Sequence, residues 1–171
     1  HLKGLTKLEQ LNLGRTEITD AGLEHLKGLT KLEYLNLTYT KVTGPGLVHL
    51  KRLTKLKGLE LSHTRVGDAG LAHLKGLVKL QRLSLHGLPL PGAGMRARPV
   101  TGVTDAGLVH LTRLKSLEYL ELGFTRVTDA GLVHLKGLTK LQYLGLGFCP
   151  KVTAAGVKQL QQALPNCKIG H

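Results

Sequence analysis

The sequence predicts an α/β solenoid, in which short parallel strands and short helices are wound coil upon coil. Three observations carry that prediction. The first is a constant step of 24 residues: Leu8-Glu-Gln-Leu-Asn-Leu13, Leu32-Glu-Tyr-Leu-Asn-Leu37, Leu56-Lys-Gly-Leu-Glu-Leu61 and Leu80-Gln-Arg-Leu-Ser-Leu85 follow one another, and the pattern returns at Leu117–Leu122 and Leu141–Leu146. A fixed period of this size marks a stacked array in which no unit buries its own apolar face. The second is that these segments lead into the same T-D-A-G-L run, or a close variant of it. The third is composition: leucine dominates, tryptophan is absent, and only 4 tyrosines and 2 phenylalanines occur among 171 residues. The core is therefore aliphatic, and the aromatic residues are free for other work.

The unit beginning at Leu8 justifies each element in turn. Leu8, Leu11 and Leu13 alternate as a short strand does. Thr16 follows, with a hydroxyl suited to satisfying backbone groups of the chain as it leaves the strand. Ile18 returns the chain to the core. Thr19 reads as a helix N-cap and Asp20 lies in the positive first turn. Leu23, Leu26 and Leu29 recur at three-residue spacing and face inward, and Gly28 is placed where a left-handed residue would end the helix. A lone unit could not offset its own ordering entropy, so neighbours must supply the rest of the burial.

The ends differ from the middle. After Cys149-Pro150 the pattern drifts into a helix with a polar tail, Lys158-Gln-Leu-Gln-Gln162. Leu164, Cys167 and Ile169 then repeat the strand pattern once more, so residues 154–169 read as a C-terminal cap. His1-Leu-Lys-Gly-Leu-Thr-Lys-Leu8 aligns with His25–Leu32, so the sequence opens inside a helix and reads as a fragment of a longer protein. The whole of 1–171 is expected to be a single domain of about six repeats. Cys149 and Cys167 match no zinc or redox spacing. Both occupy small or apolar positions, which makes buried free thiols the default, with a disulfide as the alternative.

Net charge is +13, from 24 Lys and Arg against 11 Asp and Glu. Repetition of a lysine pair in each unit accounts for it, and an anionic partner is the competing explanation. No apolar run approaches the ~20 residues that span a bilayer.

The unit L-x-x-L-x-L-x-x-T-x-V-T-D-A-G-L-x-H-L resembles the leucine-rich repeat superfamily over essentially the whole chain. The likeness is greatest to the ribonuclease-inhibitor-like and cysteine-containing types, with short units like those of bacterial tandem arrays. Cys149 stands where the cysteine-containing class carries its Cys. The resemblance implies a right-handed, curved horseshoe arc with a parallel sheet on the concave face, short helices on the convex face, and binding through the concave face or its rims. The chain departs from the pattern in the fourth unit, where Leu85 to Val103 spans 18 positions against five from Leu13 to Ile18. The extra 13 residues lie within 86–102 and hold three prolines. They are expected to project as a loop beside the strand-exit rim, either functional, with Arg96 and Arg98 at its tip, or a tolerated insertion.

In an L-x-x-L-x-L strand the x positions point outward. Tyr34, Tyr119 and Tyr143 all fall at the position of Gln10, and Tyr39, Phe124 and Phe148 at that of Arg15. Every aromatic residue is thus placed on the strand face or its exit rim, where such side chains anchor interfaces. Duplication of one ancestral Tyr and one ancestral Phe explains the same pattern, and some rim rings are candidates to tuck into the core. Strand spacing predicts that Tyr119 stacks on Tyr143 and Phe124 on Phe148. Between these shelves and Tyr34 and Tyr39 lie Glu60, His63, Arg82 and His86, a polar centre that Asn36 and Glu121 extend.

Other constellations are read as structural. The histidines at 25, 49, 73, 110 and 134 recur once per unit without a second ligand at metal spacing, so no metal is expected. Lys27/Lys31, Lys51/Lys55, Lys75/Lys79 and Lys136/Lys140 line a rim. Ser62 and Ser84 fall on strand ends read as exposed, with no His and Asp behind them, and the 22 glycines belong to turns. No catalytic residue and no cofactor is expected. The functional expectation is a non-enzymatic recognition scaffold for a protein or peptide. Glu9, Glu33, Glu60, Glu118 and Glu121 on the strand face disfavour a polyanion there. The alternatives are a nucleic acid or acidic glycan on the lysine rim, and a substrate-recognition arm of a larger enzyme.

Overall fold

The computed structural model describes residues 4–87 and 102–171. Within them seven three-residue strands form one parallel sheet in sequence order: β1 (Gln10–Asn12), β2 (Tyr34–Asn36), β3 (Gly58–Glu60), β4 (Arg82–Ser84), β5 (Tyr119–Glu121), β6 (Tyr143–Gly145) and β7 (Lys168–Gly170). Each strand pairs in the same register with the next, so that Gln10, Tyr34, Gly58, Arg82, Tyr119, Tyr143 and Lys168 stand in one row across the sheet. The longer connection between β4 and β5 leaves that register unchanged, with Leu83 opposite Leu120. The inward leucines explain why. Leu35, Leu59, Leu83, Leu120 and Leu144 are all fully buried, and a one-residue slip would turn every one of them outward.

The return elements are shorter than the leucine pattern suggests. Four of them are single α turns, α1 (Asp20–Leu23), α2 (Asp68–Leu71), α3 (Asp105–Leu108) and α4 (Asp129–Leu132), each running into a three-residue 3-10 turn. In the second coil the whole element, Pro45–Leu50, is 3-10. A leucine every three residues suits a helix with three residues per turn, because only there do positions i and i+3 eclipse on one line. Among the described residues a continuous helix appears only in the last coil, α5 (Ala154–Ala163). The core is one aliphatic column, and in the first coil Leu8, Leu11, Leu13 and Ile18 are only partly buried against it. The threonines after the first three strands act as expected: the hydroxyls of Thr16, Thr40 and Thr64 donate to the carbonyls of Leu13, Leu37 and Leu61 at 2.6–2.7 Å. Cys149 stands at that position in the sixth coil but reaches back a coil instead, its Sγ donating to the Leu122 carbonyl at 3.2 Å. Cys149 and Cys167 are both buried free thiols.

Two local expectations are corrected. Gly28 is not left-handed, nor are Gly76 and Gly137; Arg52 and Arg113 stand at the same point of other coils, so no glycine-only conformation is needed there. Thr19 occupies the N-cap with extended backbone, but its side chain makes no capping hydrogen bond, whereas Thr104, Thr128 and Thr153 do cap.

Asp20 has a larger role than a charge in the first turn. Its carboxylate reaches into the next coil, accepting from the Thr43 N–H at 2.7 Å and from the Thr43 hydroxyl. Asp68 does the same for Thr104, Asp105 for Thr128 and Asp129 for Thr153. The hydrogen bonds from Thr153 hold the Asp129 carboxyl below the usual carboxylate range. The glycine of the D-A-G run makes room for this hand-off: a Cβ on Gly46, Gly107, Gly131 or Gly156 would lie 2.0–2.4 Å from the preceding coil's aspartate oxygen. One seam lacks it. Gly44 stands in place of the aspartate, and Gly67 in place of the threonine that would receive it. There the backbones close directly, and a Cβ on Gly70 would lie 2.7 Å from Gly44 Cα.

Candidate functional site

Alternation along each three-residue strand sends its first and last residues outward, and the fixed register turns each outward position into a row. The row through the strand starts carries a stack. Tyr119 and Tyr143 lie parallel with ring centroids 4.8 Å apart and planes inclined by 13°, one rung per strand as the sheet spacing requires. The Arg82 guanidinium covers the other face of Tyr119 at 4.4 Å, a cation–π contact. Beyond Arg82 the row meets Gly58, across which the Tyr34 ring leans: a Cβ at Gly58 would lie 2.6 Å from Tyr34 Cδ2. Among the described residues no ring or cation contact joins Arg82 to Tyr34. Tyr34, Glu60, Arg82, Tyr119 and Tyr143 line an open groove of about 470 Å³, walled by Gln10, Glu33, Lys57, Gln81, Glu118 and Gln142.

A second row runs along the strand exits. Arg15, Tyr39, His63, Phe124 and Phe148 all have φ between 55° and 60°, the left-handed region that side-chain-bearing residues rarely occupy. The local cause is the turn that leaves the strand. In the row just before it, Asn12 and Asn36 accept from the N–H two residues on, at Gly14 and Thr38, and Glu121 does the same for Gly123, at 2.8–2.9 Å. The chain then reverses at the left-handed residue. The N–H groups of Arg15, Tyr39, His63 and Phe124 each bond the next coil, as Tyr39 does to the Ser62 carbonyl at 3.1 Å. The rings stack into an unbroken column. Arg15 lies 5.0 Å over Tyr39, Tyr39 is 4.1 Å from His63, and Phe124 is 4.4 Å from Phe148. The fourth coil has Gly87 at the column position. His86, one residue earlier, supplies the missing ring, 5.2 Å from both His63 and Phe124.

The carboxylates between the rows behave oppositely. Burial raises the Glu60 pKa above the usual range, against the pull of Arg82 and a hydrogen bond from Ser84. Burial also opposes ionisation of Glu121, but His86 and the N–H groups of Gly123 and Leu122 outweigh it and hold that carboxyl low. His86 Nδ1 lies 3.7 Å from Glu121 Oε1. Gly145 and Gly123 leave space for the Glu121 head, since a Cβ on either would lie within 2.9 Å of a Glu121 oxygen. Burial, then Glu60, raise the Tyr34 phenol, and burial, then Glu121, raise that of Tyr119. Burial, then His86 and Arg15, depress the His63 imidazole.

The residues expected to form one site therefore divide into two groups. Tyr34, Glu60, Arg82, Tyr119 and Tyr143 share the groove. Tyr39, His63, His86, Phe124 and Phe148 form the rim column. Within the column Tyr39 and Phe148 are exposed at 45% and 52%, but Phe124 is buried at 8% and offers almost no surface to a partner. Asn36 and Glu121 are engaged in closing their turns. Ser62 and Ser84, read as exposed, are buried and hydrogen-bonded to each other. Arg96 and Arg98 lie outside the described residues. Sequence reasoning missed Arg15, which ends the rim column, and Gly58, which interrupts the groove's stack. Both occupied positions already assigned to aromatic side chains, so the exceptions in the row were the available signal. The convex histidines are exposed at His25 and half-exposed at His49, His73, His110 and His134. Among the described residues no group of three or more His, Cys, Asp or Glu is placed to hold a metal ion, and no helix is long and apolar enough to cross a membrane.

The model of the family described as Leucine Rich repeat matches residues 4–27, 28–51, 52–74 and 113–135, more than half of the chain. The chain belongs to the leucine-rich repeat family. Members of the leucine-rich repeat family typically mediate protein–protein recognition and are typically not enzymes. Among solved structures, a leucine-rich repeat protein of Leptospira interrogans is similar at 24% identity and a TM-score of 0.73, covering 99% of this chain and 38% of its own. Two internalins of Listeria monocytogenes are also similar. Internalin F shows 19% identity and a TM-score of 0.66 over 99% of this chain and 49% of its own, and internalin C2 shows 23% and 0.62 over 98% and 71%. These likenesses establish the leucine-rich repeat fold, and the chain spans less than half the length of the first two neighbours. No curated protein matches the chain.

Proposed function

We propose that this leucine-rich repeat chain is a non-enzymatic recognition module that binds a protein or peptide on the outer face of its sheet, within the groove over β2–β6. The supporting observation is the Arg82–Tyr119–Tyr143 stack. It holds large amphipathic surfaces rigidly at the mouth of an open groove, where they lose little entropy when a partner docks. The groove's own charges favour a polypeptide over a polyanion, since Glu33, Glu60 and Glu118 face Lys57 and Arg82 there, and Lys57 is already paired with Glu33 at 2.7 Å.

The test is a displayed peptide library selected on the chain. Binders are then titrated against Tyr119→Ala and Tyr143→Ala at about 50 and 200 mM salt. The expected result is about tenfold weaker binding to each variant and a modest salt effect. A polyanion held by the lysine rim would instead lose on the order of a thousandfold across that salt range and ignore both tyrosines. That outcome would replace the reading.

A further inference from the structure

We propose that the interval over Gly58, between Tyr34 and the outer face of the Arg82 guanidinium, is a slot for one tryptophan or tyrosine side chain of a peptide ligand. The inference rests on the reading of the groove as a peptide-binding surface and names what that surface selects.

Spacing is the first argument. Tyr143, Tyr119 and Arg82 present one planar group per strand, at 4.8 and 4.4 Å. Gly58 on β3 contributes none. From β2 to β4 is two strand steps, roughly 9.6 Å, which leaves room for one more plane if Tyr34 stands upright as its neighbours do. Tyr34 instead lies over Gly58, a position open to it because Gly58 has no Cβ.

The rim column supplies the second argument. It has the same defect, a glycine at Gly87, and the chain closes that gap itself with His86. At Gly58 no residue restores the stack: Tyr34 leans over the glycine, but no stacking contact joins it to Arg82 among the described residues. Lys57 beside it is held by Glu33 at 2.7 Å, and Leu59 is fully buried in the core. The stack therefore ends at Arg82, with no ring stacked on its outer face among the described residues.

Chemistry identifies the occupant. A guanidinium face attracts an electron-rich ring and repels a cation. Glu60 projects from the same strand and the same face as Gly58. It is a half-buried carboxylate that gains from a hydrogen-bond donor, which an indole N–H or a phenol O–H supplies and a phenylalanine does not. Glu33 and Glu118 along the wall disfavour acidic flanking residues. On binding, Tyr34 rotates off Gly58 and forms the second wall, so that the ligand ring extends the stack to Tyr143–Tyr119–Arg82–ring–Tyr34.

The chain has no tryptophan, so the indole emission of a blocked Gly-Gly-Trp-Gly-Gly peptide reports its binding directly. The expected result is a saturable emission shift with the wild-type chain, weakened about tenfold or more by Arg82→Ala and by Gly58→Leu, and competed by the tyrosine peptide but not by a leucine peptide. Arg82 is exposed, so Arg82→Ala keeps the test valid should Gly58→Leu fail to fold. No saturable binding, equal binding by Gly58→Leu with an unchanged unfolding midpoint, or equal competition by the leucine peptide would overturn the proposal. The two readings fail separately: peptides selected from the library that depend on Tyr119 and Tyr143 yet tolerate both Gly58→Leu and Arg82→Ala would sink the slot and leave the wider recognition surface standing.

Discussion

The groove stack and the rim column are built from the same repeat, on the same strands, a few residues apart, and each is interrupted once by a glycine. At Gly87 the column is healed by His86 and runs unbroken from Arg15 to Phe148. At Gly58 Tyr34 leans across the glycine, and the stack does not continue from Arg82 to it. The contrast teaches that a row of aromatic residues in a repeat protein has no single meaning. A continuous, partly buried column tied to left-handed turns stiffens the coil exits, while an interrupted stack on half-exposed strands leaves faces to be covered by something else.

Substitutions separate the two rows, and the largest effect is expected in the column. Phe124→Ala should lose about 3 kcal/mol of stability in urea unfolding, the order for truncating a buried ring. Tyr143→Ala, half-exposed in the groove, should lose about 1 kcal/mol. Comparable losses would dissolve the distinction. Next, His86→Ala should cost about 1.5 kcal/mol by breaking the column and stripping Glu121 of its neighbour. Arg82→Ala should remain within about 0.5 kcal/mol of wild type, because an exposed cation contributes little to folding.

The two carboxylates sharpen the comparison through pH. Glu121 has a depressed folded pKa, so its contribution is present above the unfolded value and lost as pH falls through the folded one. Glu60 has a raised folded pKa, so its contribution is present below the unfolded value and lost as pH rises through the folded one. Glu121→Gln should therefore destabilise at pH about 7 and converge on wild type only once pH falls below the depressed folded value, whereas Glu60→Gln should stabilise at pH about 7 and converge in acid below the ordinary glutamate range. Urea midpoints at neutral pH and through an acid series decide it, and equal signs at neutral pH would show that the groove and the rim treat charge alike. The smallest effect is at Arg15, with φ 60°. Arg15→Gly should change stability by no more than about 0.5 kcal/mol, because relief of the left-handed strain offsets the added freedom of the unfolded chain.

Much of this was legible in the sequence. The strand register followed from leucine spacing alone, and with it the row membership of every aromatic residue and the pairs Tyr119–Tyr143 and Phe124–Phe148. The Thr16-type hydroxyl could be read because its partner lies three residues away. What escaped depended on contacts between coils or on backbone conformation. Glycine was expected where the chain turns left-handed, yet Gly28 is not left-handed and Arg15, Tyr39, His63, Phe124 and Phe148 are. Hydrogen bonds from Arg15, Tyr39, His63 and Phe124 to the next coil accompany that conformation, which no local propensity reveals. Ser62 and Ser84 looked exposed because the strand pattern turns them outward, but they are buried and hydrogen-bonded to each other across adjacent coils. His86 looked like one more polar residue of the centre, and only the absence of a ring at Gly87 shows why it lies where it does.

The aspartate hand-off from one coil to the next carries a lesson about how such an array can change. Because Asp105 serves Thr128 and needs Gly131 to be bare, the grammar of each unit is written partly in the unit after it. A coil pasted in from elsewhere must suit two strangers at once, one on each side. The Gly44–Gly67 seam shows both halves of the contract absent together, and Ala154, where an aspartate would have extended an offer, ends the sentence.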